Sequence, residues 1–277
     1  MGGSGAGAIR DLVARHSIRP SKSLGQNLMI DPNMARAIAA EAGAGPTDHV
    51  LEIGAGTGAL TVALAATGAQ VLAIEFDSQM IAALKEVAGA LPNVRIVQAD
   101  AMALDWPSQL GPEDWIVCAN LPYNIAVPLV LGLLQGAPMV RRLIVTVQLE
   151  VGQRLTAAPG ADAYGAVSAR VLYFADAALV RRLPPEVFWP RPKVESALVR
   201  LERRDRPAVA ADPTRLFALI DAGFAQRRKT MRSALRRMGL EADQAARVLV
   251  GCGLHPDVRA EQMGLEQFAC LSEAMPR

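Results

Sequence analysis

The chain has 277 residues, 51% of them hydrophobic, which is enough for one large domain, or a large and a small one, with a full core. Its 29 Lys and Arg against 27 Asp and Glu leave a net charge of +2, so only local clusters can argue for a polyanionic partner. No apolar run approaches the roughly 18 residues of a membrane-spanning helix, and Cys118, Cys252 and Cys270 lack the number and spacing of a disulfide framework, so they read as thiols in a reducing cytosol.

The first residues, Met1 to Ala8, are glycine-rich and lack the charged start and apolar stretch of a signal peptide. Asp31 to Ala42 reads as a helix, with Asp31 as its cap and Pro32 in its first turn. Short apolar strands are expected at Val50–Ile53, Val71–Ile74, Val94–Val97, Ile116–Ala119 and Leu143–Val147, with helices at Ala59–Ala66 and Ser78–Ala90. Strands separated by helices imply a parallel, doubly wound α/β sheet. Ala169–Phe174 and Ser196–Leu201 read as further strands forming an antiparallel edge, with a proline-dense stretch, Pro184–Pro192, between them. Glu202 to Pro207 is charged and contains a breaker, so the domain boundary is expected near Arg204; from Pro213 the pattern is helical to the end.

Val50 to Gly58 reads as strand, glycine turn and helix start. Glycines such as Gly54 and Gly56 permit positive φ and close approach of a ligand to the backbone. Alone the pattern is weak, because it serves dinucleotides or plain turns as well. Glu75 ends the second strand, where a carboxylate can accept hydrogen bonds from both ribose hydroxyls of an adenosine, and Asp100 ends the third, where it can face an adenine amino group. Their order at successive strand ends points to a nucleoside cofactor, with NAD as the rival. The scattered His16, His49 and His255 form no metal set, and no metal is expected.

After the fourth strand comes Asn120-Leu121-Pro122-Tyr123. An aromatic amine is a poor nucleophile because its lone pair is delocalised into the ring. Two acceptors aimed at its N–H bonds would turn that lone pair toward an electrophile, and the Asn120 side-chain oxygen and Leu121 carbonyl suit the task. Pro122 stiffens the turn, and Tyr123 can stack on a base. Phe188, held in a proline-stiffened segment, is expected to supply a second stacking face.

These residues resemble the KsgA/RsmA family of ribosomal RNA adenine dimethyltransferases. Lys22 through Met29 is similar to its signature K-x-F-G-Q-N-F-L, Glu52 through Gly56 to its cofactor loop, and Asn120 through Asn124 to its catalytic motif. Tyr164-Gly165, Phe188 through Ser196 and Phe224 through Thr230 are similar to its later motifs. Leu24, Leu28 and Leu149 depart from the pattern, the first two replacing aromatic residues and the third a Lys. The resemblance implies a Rossmann-like methyltransferase sheet and use of S-adenosylmethionine, with Asn27 and Met29 joining Gly54, Gly56, Glu75, Asp100 and Asn120 around it. It implies two methyls on N6 of each of two adjacent adenosines, in a hairpin loop near the 3′ end of small-subunit rRNA, within an assembling ribosomal subunit. A cytoplasmic monomer away from membranes is expected. Residues 1–21 would be a flexible segment and first helix, 22–204 the catalytic domain and 205–277 a small all-α docking domain. Alternatives are a large-subunit rRNA methyltransferase of the antibiotic-resistance type, a non-catalytic RNA-binding assembly factor, and an NAD-dependent oxidoreductase.

The segment Arg227 to Arg237 carries Arg227, Arg228, Lys229, Arg232, Arg236 and Arg237 with no acidic residue. Read as one helix, it lines up Arg228, Arg232 and Arg236 on a face. With Lys22, these residues are the expected RNA contacts.

Overall fold

The structure, a computed structural model, describes residues 6–20, 25–226 and 228–275. Of the expected RNA contacts, Lys22 and Arg227 lie outside these. The strands are β1 (Leu28–Met29), β2 (His49–Ile53), β3 (Gln70–Glu75), β4 (Val94–Gln98), β5 (Trp115–Asn120), β6 (Val140–Gln148), β7 (Ala175–Leu183), β8 (Phe188–Trp189) and β9 (Ser196–Arg203). The helices are α1 (Ala6–Arg15), α2 (Pro32–Ala42), α3 (Ala59–Ala65), α4 (Ser78–Ala88), α5 (Trp106–Leu110), α6 (Ala126–Gly136), α7 (Leu149–Leu155) and α8 (Ala166–Phe174), then α9 (Pro213–Phe224), α10 (Met231–Arg237), α11 (Ala242–Gly251) and α12 (Leu265–Ala274).

Seven strands form one sheet in the order β4-β3-β2-β5-β6-β9-β7, and β1 pairs antiparallel with β8. The five strands from β4 to β6 run parallel, and β9 runs antiparallel to β6. Val50, Leu51 and Ile53 of β2 and Val71 through Ile74 of β3 are all buried, as expected for parallel strands covered on both faces. Chain order reverses between β2 and β5, and a crevice opens at the carboxyl ends of strands at such a point. The fold is thus the α/β methyltransferase-type sheet with a helical C-terminal region. Local chemistry sets the entry to this sheet: Asp31 Oδ1 accepts from the Asn33 and Met34 amides at 2.8 and 3.2 Å, Pro32 follows, and Gly43 closes α2 with φ of +63°.

The chain forms two compact units, one of Met1–Gly152 with Ala178–Arg203, the other of Gln153–Ala177 with Arg204–Arg277. The single catalytic stretch expected over 22–204 is therefore interrupted: residues 153–177 belong with the C-terminal helices. Their apolar side chains explain it. Tyr164, Ala169 and Tyr173 are buried with Leu216, Leu219, Leu235 and Phe268 in the core of the second unit. The Tyr164 hydroxyl donates to the Met263 carbonyl at 3.0 Å.

Three further expectations are corrected. Ala169–Phe174 lies in helix α8, not a strand; β7 begins only at Ala175. A short apolar run does not by itself separate a buried helix from a strand, and Ser168 starts the helix by donating to the Arg154 carbonyl (2.6 Å) and accepting from the Gly165 amide (3.1 Å). The basic segment is not one helix: Thr230 caps α10, its hydroxyl accepting from Ser233 N at 3.4 Å, so Arg228 and Lys229 sit in the preceding turn. Cys252 and Cys270 form a disulfide between the end of α11 and α12, while Cys118 is a buried free thiol.

Candidate active site

β2 feeds a loop in which Gly54, Gly56 and Gly58 all have positive φ, 73°, 55° and 87°. Space as well as φ disfavours a side chain at Gly56 and at Gly58, where a Cβ would meet Leu84 Cδ1 at 3.0 Å; at Gly54 the contact is ordinary and φ alone decides. A Cβ on Gly56 would meet Leu28 Cδ2 at 3.1 Å, and one on Gly54 would meet Pro122 Cδ at 3.4 Å. The loop is therefore pressed between β1 and the Asn-Leu-Pro-Tyr turn. Glu75, at the end of β3, fixes it from below: Oε2 accepts from Gly56 N at 2.8 Å, and Oε1 accepts from Phe76 N and Asp77 N at 2.8 and 2.9 Å. Burial pushes the Glu75 carboxyl above its ordinary value, opposed by those three amides.

Glu52 lies deeper, 1% exposed, with Thr61 Oγ1 donating to its Oε2 at 2.6 Å. Burial pushes its pKa up to about 8, so the carboxyl is largely neutral at pH 7 unless a cation reaches it. Asp100 follows β4, exposed, with Oδ1 accepting from Met102 N at 2.9 Å.

Asn120 ends β5. Its Nδ2 donates to the Asn27 carbonyl at 2.7 Å, which fixes the amide's orientation, and its Oδ1 is buried with no hydrogen-bond partner among the described residues. An unsatisfied buried acceptor is uncommon and calls for a reason. The Leu121 amide donates to Thr146 O at 3.1 Å, whereas the Leu121 carbonyl accepts nothing from the described residues. Two acceptors are thus left without donors on adjacent residues. The turn closes by Ile125 N donating to Pro122 O at 3.2 Å. Tyr123 is half-buried, its hydroxyl bonded to Ser196 Oγ at 2.6 Å, and burial raises its pKa. Gly25 packs on this turn so closely that a Cβ would stand 2.9 Å from Asn124 Oδ1.

One crevice of about 300 Å³ gathers Asn27, Met29, Gly54, Gly56, Glu75, Asp100, Asn120, Leu121 and Pro122. Tyr123 is next in chain to this wall but outside the lining, and Phe188 is not brought to it. Phe188 is 2% exposed, pairs with Met29 across β1–β8 and packs with Ile38, Leu60 and Leu198, so it is a core residue in this structure. Presenting its ring to a base would require the β1–β8 pair to move. Among the lining residues that the sequence did not single out are Phe76, Met102 and Glu52. Phe76 and Met102 are 57% and 47% exposed, unusual for such side chains, and flank the Glu75 and Asp100 strand ends. The signal for Phe76 was available in its position directly after the β3 carboxylate. Glu52 read only as part of the glycine motif. Among the described residues no cluster of His, Cys, Asp or Glu is arranged to hold a metal ion, and no helix is long and apolar enough to cross a membrane.

Comparison with known proteins fits this geometry. The family described as Ribosomal RNA adenine dimethylase matches residues 17–275. Proteins named Ribosomal RNA small subunit methyltransferase A are similar to the chain: that of Kineococcus radiotolerans is 42% identical over 97% of this chain and 90% of its own, and that of Moorella thermoacetica 41% identical over 95% of each. Among solved structures, a dimethyladenosine transferase from Plasmodium falciparum superposes with a TM-score of 0.76 at 24% identity, covering 88% of this chain and 95% of that one, and shares its fold. The 23S rRNA methyltransferase ErmE gives 0.70 at 25% identity, over 90% and 99%. With the family match running almost from end to end of the chain and relatives above 40% identity along the same span, the protein belongs to the ribosomal RNA adenine dimethylase family.

Proposed function

We propose that the protein dimethylates N6 of adenosines in small-subunit rRNA, using S-adenosylmethionine, and that its targets are two adjacent adenosines in a hairpin loop near the 3′ end. The observation that carries the reading is the buried, unpartnered Asn120 Oδ1 beside the unpartnered Leu121 carbonyl. An adenine N6 has two N–H bonds to give these two acceptors in the first transfer and one in the second; accepting them favours a pyramidal nitrogen whose lone pair leaves conjugation with the ring and points at an incoming methyl. The Nδ2 bond to Asn27 keeps Oδ1, and not the amide nitrogen, on the acceptor side. Orientation and preorganised acceptors are the chain's catalytic contribution. The methylated nitrogen is acidic enough to release its proton to solvent.

The crevice fits S-adenosylmethionine, which when bound supplies an electrophilic sulfonium methyl. Glu75 would hold the ribose through Oε2, which accepts one backbone amide and keeps a second lone pair, whereas Oε1 already accepts two amides. Asp100 would face the adenine amino group, Phe76 and Met102 would cover the ring faces, and Gly54, Asn27 and Met29 would line the amino-acid end. Glu52 lines the same crevice and would meet the cofactor's positive charge. Tyr123 would stack on the target base.

For RNA docking, the exposed Arg228, Lys229, Arg232 and Arg236 are the candidates, joined by Lys22 and Arg227. Arg232 lies 4.0 Å from Asp257, a distance at which it remains open to phosphate. Arg237 is the exception: it donates to Ala222 O and Gln226 Oε1 and holds the end of α9. The names of the relatives favour the small subunit over the large, and the intact Asn-Leu-Pro-Tyr turn disfavours a non-catalytic assembly factor. A cytoplasmic monomer acting on an assembling subunit completes the reading. Incubation with labelled cofactor and undermodified small subunits, followed by mapping, tests it. Label in paired N6,N6-dimethyladenosines near the 3′ end is expected; label only in large-subunit RNA, or none, refutes it.

A further inference from the structure

A second concavity, of about 400 Å³, opens beside α1 and is lined by Arg10, Val13, Ser17, Ile18, Arg19 and Trp189. Its floor is apolar, since Val13 and Ile18 are buried with Leu12, and Trp189 packs against them while remaining half-exposed. Its rim is cationic. Arg10 and Arg19 are exposed and form no ion pair among the described residues, whereas Arg15 of the same helix is held by Glu86 at 2.5 Å. Acidic residues on the neighbouring segments include Asp11, exposed on α1, Glu86, engaged by both Arg15 and His16, and Glu186, paired with Arg191.

The rim also carries an odd backbone. Ser17 has φ of +52°, the only positive φ at a non-glycine among the described residues. It ends α1 through Ser17 N to Ala14 O at 3.1 Å and Ile18 N to Val13 O at 2.9 Å, a closure at which glycine is the usual residue. A side chain kept in a conformation that disfavours it is a pointer to use of that side chain. Ser17 lines the concavity together with Arg10 and Arg19. An aromatic face, an apolar floor, two free cations and a hydroxyl are the groups that take a stacked base and its phosphate.

The location is informative too. Trp189 pairs with Leu28 across β1–β8, and Leu28 lines the active-site crevice. Leu28 also packs with Leu12, Val13 and Ile18 of the floor, so the concavity adjoins the crevice through one shared side chain.

We propose that this concavity is a subsite for one unpaired nucleotide of the RNA substrate, its base on Trp189 and its phosphate between Arg10 and Arg19. The assignment rests on the RNA substrate argued above. Trp106 and Trp115 are only 6% and 8% exposed, so Trp189 is the tryptophan that reports a stacked base. The full-length protein, without cofactor, is titrated with a short single-stranded RNA oligonucleotide while tryptophan emission is read, and with AMP in parallel. RNA should quench emission, and Trp189→Phe should abolish the quench while keeping RNA affinity within about threefold, because phenyl still stacks. Arg10→Gln with Arg19→Gln should lower RNA affinity about tenfold and flatten its salt dependence by about one to two counterions, leaving S-adenosylhomocysteine affinity unchanged. Ser17→Gly, which suits the backbone, should weaken RNA alone. In methyl transfer the double Arg variant should raise KM for RNA and spare kcat. Equal RNA affinity and salt slope for the double variant, a quench that persists in Trp189→Phe, or AMP binding as tightly as RNA would each overturn the subsite. Because quenching needs no turnover, failed methyl transfer with normal quenching overturns the functional reading alone, and normal transfer with no quench overturns the subsite alone.

Discussion

In Asn120→Ala the protein loses one hydrogen bond, from Nδ2 to the Asn27 carbonyl, together with one buried acceptor that has no partner. The lost bond costs about 0.5–1.5 kcal/mol, while removal of an unsatisfied buried acceptor is favourable by about 1–3 kcal/mol. The void left by a trimmed amide opposes that gain by roughly 1 kcal/mol. The three nearly cancel, so the melting temperature should stay within about 4 °C of wild type, at roughly 2–4 °C per kcal/mol for a chain of this size. Catalysis has no such compensation. A preorganised acceptor at the reacting atom is worth about 2.7–4 kcal/mol, so kcat should fall roughly 100- to 1000-fold. The assay pairs single-turnover methyl transfer to undermodified small subunits with thermal melting of the cofactor-free protein. A kcat within about threefold of wild type would show that Oδ1 accepts nothing in the transition state. An equal loss of activity with a melting point lowered by more than about 10 °C would make Asn120 a structural residue.

Glu75→Ala should behave differently, because its carboxylate holds three backbone amides as well as a ligand site. Affinity for S-adenosylhomocysteine should fall about 10- to 100-fold, equivalent to about 1.5–3 kcal/mol, and the melting point should drop with it; calorimetric affinity equal to wild type refutes the assignment. Glu52 has a folded pKa of about 8, above its ordinary 4.5, so it stabilises the cofactor-free fold at low pH. That contribution is full below 4.5 and is lost as pH rises toward 8, because the unfolded chain releases this proton first. Glu52→Gln should flatten the decline in melting temperature between pH 5 and 8, and parallel wild-type and variant curves would show that Glu52 is not held neutral. The Cys252–Cys270 bond closes a loop 18 residues apart in sequence. A closure of that size is worth about 3 kcal/mol by chain entropy, so reductant or Cys270→Ser should lower the melting point of the C-terminal unit. Alkylation of both thiols without reductant in the purified protein would show the bond absent.

The parts legible in sequence were those whose chemistry is local. Glu75 and Asn120 end their strands, Gly54 to Gly58 and Asp100 come directly after theirs, and parallel pairing brings strand ends together, so chain order gathered the crevice. The strands from β2 to β6 were legible as short apolar runs. Misreadings came where a long-range partner decides. Ala169 to Phe174 has the composition of a strand, but its packing partners are the helices after Pro213, far along the chain. The periodicity of Arg228, Arg232 and Arg236 looked helical, yet Thr230 interrupts it by capping α10. Cys252 and Cys270 carry no motif; only the packing of α11 beside α12 brings them together. Phe188 was read from a stiff segment as a presented ring, and the β1–β8 pairing turned it inward.

The bond from Asn120 Nδ2 to the Asn27 carbonyl spans 93 residues of sequence. Asn27, Met29 and Asn120 line one crevice, in which we propose that the cofactor and the target base meet. Two ligands that meet the same rigid strut are thermodynamically linked: whatever steadies the strut for one steadies it for the other, by the same factor in each direction. The segment that lines the crevice at Asn27 therefore also holds the Asn120 amide. On the proposed assignments each ligand should therefore raise the affinity for the other by the same factor, whichever arrives first.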